Sequence, residues 1–456
     1  MAKPTIQYVC SSCGAKAPQL LGRCPVCGEW GTYEEEVVTS SKAKGERLMA
    51  KGTAQPQRLQ DVVASEEMRL DMHNGEFNRV LGGGLVPGSL VLLGGEPGIG
   101  KSTLALQVLM QQGERKTFYS SGEESVRQLK LRAERLAGNA ENLFISSETS
   151  LERILEQVKE LEPEIVVIDS IQTIGTEAVE ATIGSITQVR ECAARILEFA
   201  KTRNIPFIII GHINKEGSLA GPKVLEHIVD TVLQFEGDQQ YMYRILRAQK
   251  NRFGSTSEIG IYEMRQEGLR EVTNPSELLL STAREGLSGI AIAAAVEGVR
   301  PFLIEVQALV SSAAYGTPQR SSTGFDGRRL NMLLAVLEKR VGFKLLQKDV
   351  FLNIAGGLKV QDPAIDLAVL AAVLSSNMDI ALDAGTCLCG EVGLAGEIRS
   401  VNRIEQRIAE AQKLGFRRIL IPAEQVERLD TRKNHAGIEV VGVKKVTDAF
   451  RLLIKS

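Results

Sequence analysis

No run of apolar residues in this 456-residue chain approaches the ~20 needed to cross a membrane. No apolar signal segment follows the opening Met-Ala-Lys-Pro-Thr, so a cytoplasmic protein is expected. Nor is there a surplus of positive charge. The formal net charge is −2, so any grip on nucleic acid has to come from local basic loops or a ring channel. Histidine is scarce, with four in all and no HExxH, which leaves metal-dependent hydrolysis without support. Tandem repeats and long low-complexity tracts are also absent.

Cysteine is unevenly placed. Four of the seven fall in the first 27 residues, and Cys192, Cys387 and Cys389 lie far away. Cys10-x2-Cys13 and Cys24-x2-Cys27 form two knuckles separated by ten residues, with Gly14 and Gly28 freeing the turns. Two such turns can complete a tetrahedral zinc site of four thiolates, which leaves no open position for catalysis. Lys3, Lys16 and Arg23 outnumber Glu29 here, and Tyr8 and Trp30 add aromatics. The module suits contact with DNA or a partner protein, or a fold whose aromatics pack on the knuckles.

The expected organisation is a zinc module over 1–33, a polar linker over 34–58, an α/β ATPase domain over 59–273 and a second α/β domain over 274–456. Apolar runs at 90–93, 117–120, 165–169 and 207–211 read as buried parallel strands, and 241–249 and 257–264 as strands leaving that core. Between them, Thr149 and Glu152 fit a capping box ahead of the stripe Leu151, Ile154, Leu155, Val158 and Leu161. In the last region, strands are expected at 289–296 and 302–310 and helices at 329–340 and 365–376.

Gly95-Glu96-Pro97-Gly98-Ile99-Gly100-Lys101-Ser102 matches G-x-x-x-x-G-K-[ST] in full, after a strand and before a helix-forming run. Its backbone amides, with Thr103 in the same turn, would cradle the phosphates of ATP. Lys101 would neutralise the β- and γ-phosphates and Ser102 would hold Mg²⁺. Asp169, ending the strand at 165–169, would orient that ion. Hydrolysis needs a group to activate water. Glu123 is the favoured base and Glu124 its rival, on a strand taken as the neighbour of the P-loop strand.

The four-cysteine module, the run Leu81-Gly82-Gly83-Gly84-Leu85-Val86-Pro87-Gly88 and the segment Lys250-Asn251-Arg252-Phe253-Gly254 together resemble the bacterial RadA (Sms) family over essentially the whole chain. The resemblance implies a RecA-like ATPase that assembles as a homohexamer, with the RecA recombinase as a partner. It implies an ATP-dependent DNA motor in recombination and repair, one that binds single-stranded and branched DNA and drives branch migration or heteroduplex extension. Lys250 and Arg252, placed on the far side of the core from the P-loop, would then serve a neighbour's nucleotide as an arginine finger does; the alternatives are contact with DNA or a solvated turn. Loops at 174–188 and 212–223 would grip DNA, with Lys215 as a γ-phosphate sensor, while His212 reads as structural.

The C-terminal region resembles the Lon protease domain, with Ala364 where the serine nucleophile would fall and Glu405 near the place of the lysine. Fold without proteolysis is the expectation, with Arg320, Arg328, Arg329 and Lys339 as candidate phosphate contacts. The alternatives are a KaiC-like signalling ATPase without DNA dependence and, less well supported, an ATP-dependent protease.

Overall fold

The structure, a computed structural model, describes residues 5–10, 15–26, 28–38, 68–136, 138, 140–212, 224–237, 243–280, 286–313, 318–357, 359–429 and 437–454. The chain forms two compact units, Met1–Val272 and Thr273–Ser456.

At the N-terminus, β1 (Thr5–Cys10) pairs antiparallel with β2 (Lys16–Ala17) and β3 (Tyr33–Val38). Pairing Cys10 with Tyr33 puts the first cysteine of one knuckle against the ring that closes over Cys24. Cys10, Ala17, Cys24 and Tyr33 form a small buried cluster. Trp30 is not part of it: the ring is largely exposed, with the Arg23 guanidinium 5.7 Å above it.

The ATPase core begins with α1 (Gly75–Leu81), β4 (Leu90–Gly95) and α2 (Lys101–Met110). It continues through β5 (Thr117–Ser121), α3 (Val126–Arg135), β6 (Leu143–Ser146), α4 (Leu151–Leu161) and β7 (Ile165–Asp169). Then come α5 (Ile186–Arg203), β8 (Phe207–His212), α6 (Val224–Ile228) and β9 (Thr231–Glu236). The strands β10 (Tyr243–Asn251), β11 (Ile259–Arg265) and β12 (Gly268–Glu271) complete one nine-stranded sheet in the order β12-β11-β10-β9-β4-β8-β7-β5-β6. The run from β9 to β6 is parallel, and β10 to β12 are antiparallel.

Both faces of that sheet are covered, so its central strands are apolar throughout and do not alternate. In β4, Val91 and Leu93 face the layer of α1 and α2, while Leu90 and Leu92 face α4 and α5. The stripe expected of α4 is buried at Leu151, Ile154, Leu155 and Val158, with Leu161 half-buried against the same core. Its capping box does not form. The N-cap is Ser150, whose side chain caps nothing. Glu152 is drawn away to Thr176 (2.6 Å) and Arg195 (2.5 Å), partners the local pattern does not contain.

The second unit comprises α7 (Pro275–Leu279), β13 (Ile290–Glu297), β14 (Arg300–Ser312), β15 (Arg320–Thr323), α8 (Gly327–Val336), β16 (Lys348–Ile354) and α9 (Asp366–Met378). After these come β17 (Thr386–Leu388), β18 (Glu391–Val392), β19 (Ile398–Arg399) and α10 (Ile404–Lys413). The unit ends with β20 (Arg418–Pro422), α11 (Ala423–Val426), β21 (Glu439–Val443) and α12 (Val446–Ile454). A mixed sheet runs β15-β16-β14-β13-β17-β20-β21, beside a β18-β19 hairpin. The helix expected at 329–340 is α8 continued by a π-turn over Leu337–Val341. Among the described residues no helix is long and apolar enough to cross a membrane.

Candidate active site

The phosphate loop turns from β4 into α2 on backbone that side chains disfavour. A Cβ added to Gly95 would stand 2.6 Å from the Phe235 carbonyl, and Gly100, at φ 112°, caps α2 with no side chain of its own. The helix start is thereby left for an anion. Lys101 is buried, and its Nζ donates to the carbonyls of Gly95 (2.8 Å) and Glu96 (2.9 Å). Burial pulls its pKa down to about 8, against the opposing pull of Asp169, Glu123 and Glu96. Ser102 and Thr103 lie half-buried in the first turn of α2.

Facing the loop are acidic groups at the ends of β5 and β7, with His212 at the end of β8. Tyr119 donates to Asp169 Oδ2 at 2.5 Å, and Asp169 Oδ1 is buried without a partner among the described residues. An oxygen so oriented fits a cation's shell, which is the chemistry expected of a Mg²⁺ site. Next along, Ser121 Oγ accepts the amides of both Glu123 (3.2 Å) and Glu124 (2.9 Å), and from that turn the two side chains part. Glu124 pairs with Arg132. Glu123 Oε1 accepts the Ser170 hydroxyl at 2.7 Å and lies 3.2 Å from His212 Nε2.

The two carboxylates differ electrostatically as well. Partial burial pushes Glu123 up, but hydrogen bonds from Ser170 and His212 outweigh it and hold the group below the ordinary range. For Glu124 burial prevails over Arg132, and its pKa rises. Two expectations are corrected here. The strand that leads to Glu123 does not adjoin the P-loop strand: β8 and β7 stand between β4 and β5, and Glu123 arrives beside Asp169 through the β5–β7 register Ser121↔Asp169. His212, read as structural, contacts Glu123 itself. Tyr119, Ser170 and Arg132 carried no sequence signal, because their partners lie on other elements.

Lys250 and Arg252 lie at the other end of the sheet. β9 runs parallel to β4 with Val91↔Thr231 and Gly95↔Phe235, and Asn251 of β10 pairs with Thr231. The five-residue rise from Leu90 to Gly95 therefore sets this corner roughly 17 Å from the phosphate loop of its own chain. The segment is pinned to the glycine run after α1. Asn251 Nδ2 donates to the Leu81 carbonyl (3.2 Å), and Arg69 Nη2 donates to that of Phe253 (2.5 Å). Of the expected DNA loops, 174–188 is cross-tied by its own Gln188, in the first turn of α5, whose amide donates to the carbonyls of Thr176, Val179 and Ala181. Residues 213–223, with Lys215, lie outside the described residues.

In the zinc module the buried Cys10 and Cys24 occupy one cluster, while Cys13 and Cys27 lie outside the described residues. Each described cysteine opens a tight turn, with Cys10 N–H donating to Ala15 O and Cys24 N–H to Glu29 O. Two buried thiols on paired turns fit a thiolate-bound metal. In the second unit Ala364 is fully buried ahead of α9, and the buried Arg407 donates through Nη1 to Asp362 Oδ2 and Ala294 O, both at 2.6 Å. Glu405, two residues before it, is half-buried. Arg329, an expected phosphate contact, instead holds the buried Asp366 with two donors, Nε at 2.7 Å and Nη2 at 2.5 Å.

A P-loop opening a helix beside a parallel sheet, faced by a strand-end aspartate and a poised glutamate, defines a RecA-like P-loop ATPase. Family models match a rubredoxin metal binding domain over residues 8–35, an AAA domain over 53–218 and subunit ChlI of Mg-chelatase over 325–425. The chain is 50% identical to DNA repair protein RadA of Bacillus subtilis (strain 168) over 456 residues, 99% of each chain. It is 49% identical to that of Listeria monocytogenes over 99% of this chain and 98% of the relative, and 46% identical to that of Halalkalibacterium halodurans over the whole of both. This chain belongs to the DNA repair protein RadA family.

Proposed function

We propose that this chain is an ATP-driven DNA motor of recombination and repair, working as a ring of six beside a RecA-type recombinase. The observation that carries the reading is the split of the catalytic equipment. Lys101, Glu123 and Asp169 gather at one end of β4, and Arg252 lies at the other. Only a second copy can bring a finger to the first copy's nucleotide.

In this reading Gly95 to Thr103 cradle the ATP phosphates, and Lys101 leaves its two carbonyls for phosphate oxygens. Ser102 and Asp169 would hold Mg²⁺, which when bound supplies positive charge at the β- and γ-phosphates. Glu123, ionised and held by Ser170 and His212, takes the proton of the attacking water. Arg252 from the neighbour faces the charge that develops as the γ-phosphate departs. The cysteines Cys10, Cys13, Cys24 and Cys27 would hold zinc as thiolates. The second unit serves assembly and DNA contact: its Asp362–Arg407 pair and Ala364 offer no nucleophile and no lysine for proteolysis.

The test is strand displacement on a three-stranded recombination intermediate with ATP, for the native chain and Lys101→Ala. Displacement that needs ATP and is lost in the variant is expected. No displacement, with ATPase activity indifferent to DNA, would replace the motor with a signalling ATPase.

A further inference from the structure

Asp230 joins the start of the P-loop strand to the basic corner. It sits between α6 and β9, almost wholly buried, and its backbone N–H donates to the Leu90 carbonyl at 3.0 Å. Its Oδ2 accepts the Leu90 amide at 3.1 Å, and its Oδ1 accepts Arg252 Nη1 at 3.2 Å. The Arg252 amide in turn donates to the Asp230 carbonyl at 3.2 Å, so backbone and side chain are held together. A buried carboxylate requires a countercharge; the Lys250 ammonium adds positive charge nearby, and the cation in direct contact with Asp230 is Arg252.

The pair is asymmetric: the Arg252 side chain is 50% exposed and that of Asp230 is 3% exposed. A guanidinium offers five N–H donors in a fixed fork. One points inward to Asp230, which leaves the outer part of the fork presented at the surface in a defined orientation. Lys250 is spent differently. A register shift between Ala248 and Lys250 turns its ammonium back onto α6, where it donates to the carbonyls of Glu226 (2.6 Å) and Val229 (2.7 Å). Two of its three donors thus close the end of a helix in its own subunit, and Arg252 is the outward cation of the two.

We propose that Asp230 is the positioning residue for Arg252, fixing the guanidinium in the pose in which it meets the nucleotide of a second copy of this chain. The inference rests on the reading that Arg252 acts across subunits. It separates that residue from Lys250, which works as an internal clasp. Loss of the carboxylate leaves Arg252 present but free to rotate, and misplacing a catalytic group by about 1 Å is worth about 10²-fold in rate.

The experiment uses full-length variants, Asp230→Asn, Arg252→Ala and Lys101→Ala, assayed for ATP turnover alone and mixed in pairs. Asn keeps an oxygen for the Leu90 amide and removes the charge that orients Arg252. Asp230→Asn alone should lose most of kcat with an unchanged KM for ATP, and the double variant with Arg252→Ala should be no slower than Arg252→Ala. Mixing Asp230→Asn with Lys101→Ala should restore turnover, because the Lys101→Ala copy brings an intact Asp230–Arg252 pair to the other's intact phosphate loop. Restoration for Arg252→Ala but not for Asp230→Asn would overturn the inference and make Asp230 a support of its own β4. Restoration for neither would remove the cross-subunit reading on which it stands. Full activity of Asp230→Asn alone would also refute it.

Discussion

Tyr119 and Asp169 share a hydrogen bond of 2.5 Å that fixes one carboxylate oxygen and leaves the other buried without a partner among the described residues. Burial and the adjacent Asp169 drive the phenol well above its ordinary pKa, so Tyr119 stays a donor at every working pH. Tyr119→Phe removes the donor and keeps the ring. It should lower stability by about 1.5–3 kcal/mol, the usual worth of a hydrogen bond to a charged group. It should also raise the Mg²⁺ concentration that half-saturates ATP turnover. Urea unfolding and a magnesium titration check both. An unchanged magnesium requirement would mean that Tyr119 supports only the fold.

The turn at Ser121 sends Glu123 to Ser170 and His212 and Glu124 to Arg132. Glu123→Gln should therefore bind ATP as the native chain does and hydrolyse it about 10²- to 10⁴-fold more slowly, the range for loss of a general base. Glu124→Gln should fall by far less. Single-turnover measurements with both variants decide between them, and the reverse order would exchange their roles.

Lys101 yields a pH prediction. Its pKa in the folded, nucleotide-free chain is about 8, below the ordinary lysine value, which the unfolded chain retains. Between the two values the unfolded chain binds a proton that the folded chain lacks, so this group makes stability rise with pH from about 8 upward. Nucleotide needs the cation and reverses the trend. Affinity for ATP should weaken above about pH 8, by up to about tenfold per unit, with uptake of most of a proton on binding at about pH 8.5. Calorimetry in two buffers of different ionisation enthalpy measures that uptake, and its absence would place the proton on another group.

Arg407 is enclosed by its own unit and satisfied by Asp362 and backbone carbonyls. Arg407→Ala strands the Asp362 carboxylate and should destabilise the C-terminal unit by about 3–5 kcal/mol. Ala364→Ser, by contrast, should create no casein-degrading activity with ATP, since the position is fully buried and the neighbouring Asp362 is held by Arg407. Denaturant titration and a casein assay test the two statements.

Contiguous chemistry was legible in the sequence. The phosphate loop, the strand ending in Asp169 and the paired knuckles each announce themselves within a few neighbouring residues, because turns and helix starts impose local rules. What escaped was set by strand order. Nothing near position 212 says that β8 lies between β4 and β7, and so nothing marks His212 as a partner of Glu123. Thr149 and Glu152 met the local capping rule, yet Thr176 and Arg195 outcompeted it from elsewhere in the fold. Nothing near position 230 marks Asp230 as a partner of Arg252, which β10 brings beside it. Arg329 failed in the opposite direction, an exposed-looking charge claimed by the buried Asp366.

The placement of Arg252 at the far end of β4 from Lys101 also has a bearing on dosage. On the proposed cross-subunit role of Arg252, a solitary chain cannot bring its own finger to its own pocket. Its specific activity should then depend on how crowded the solution is, being low when dilute and climbing steeply as chains meet. The abundance of the protein, as much as the abundance of ATP, would set when it begins to turn over.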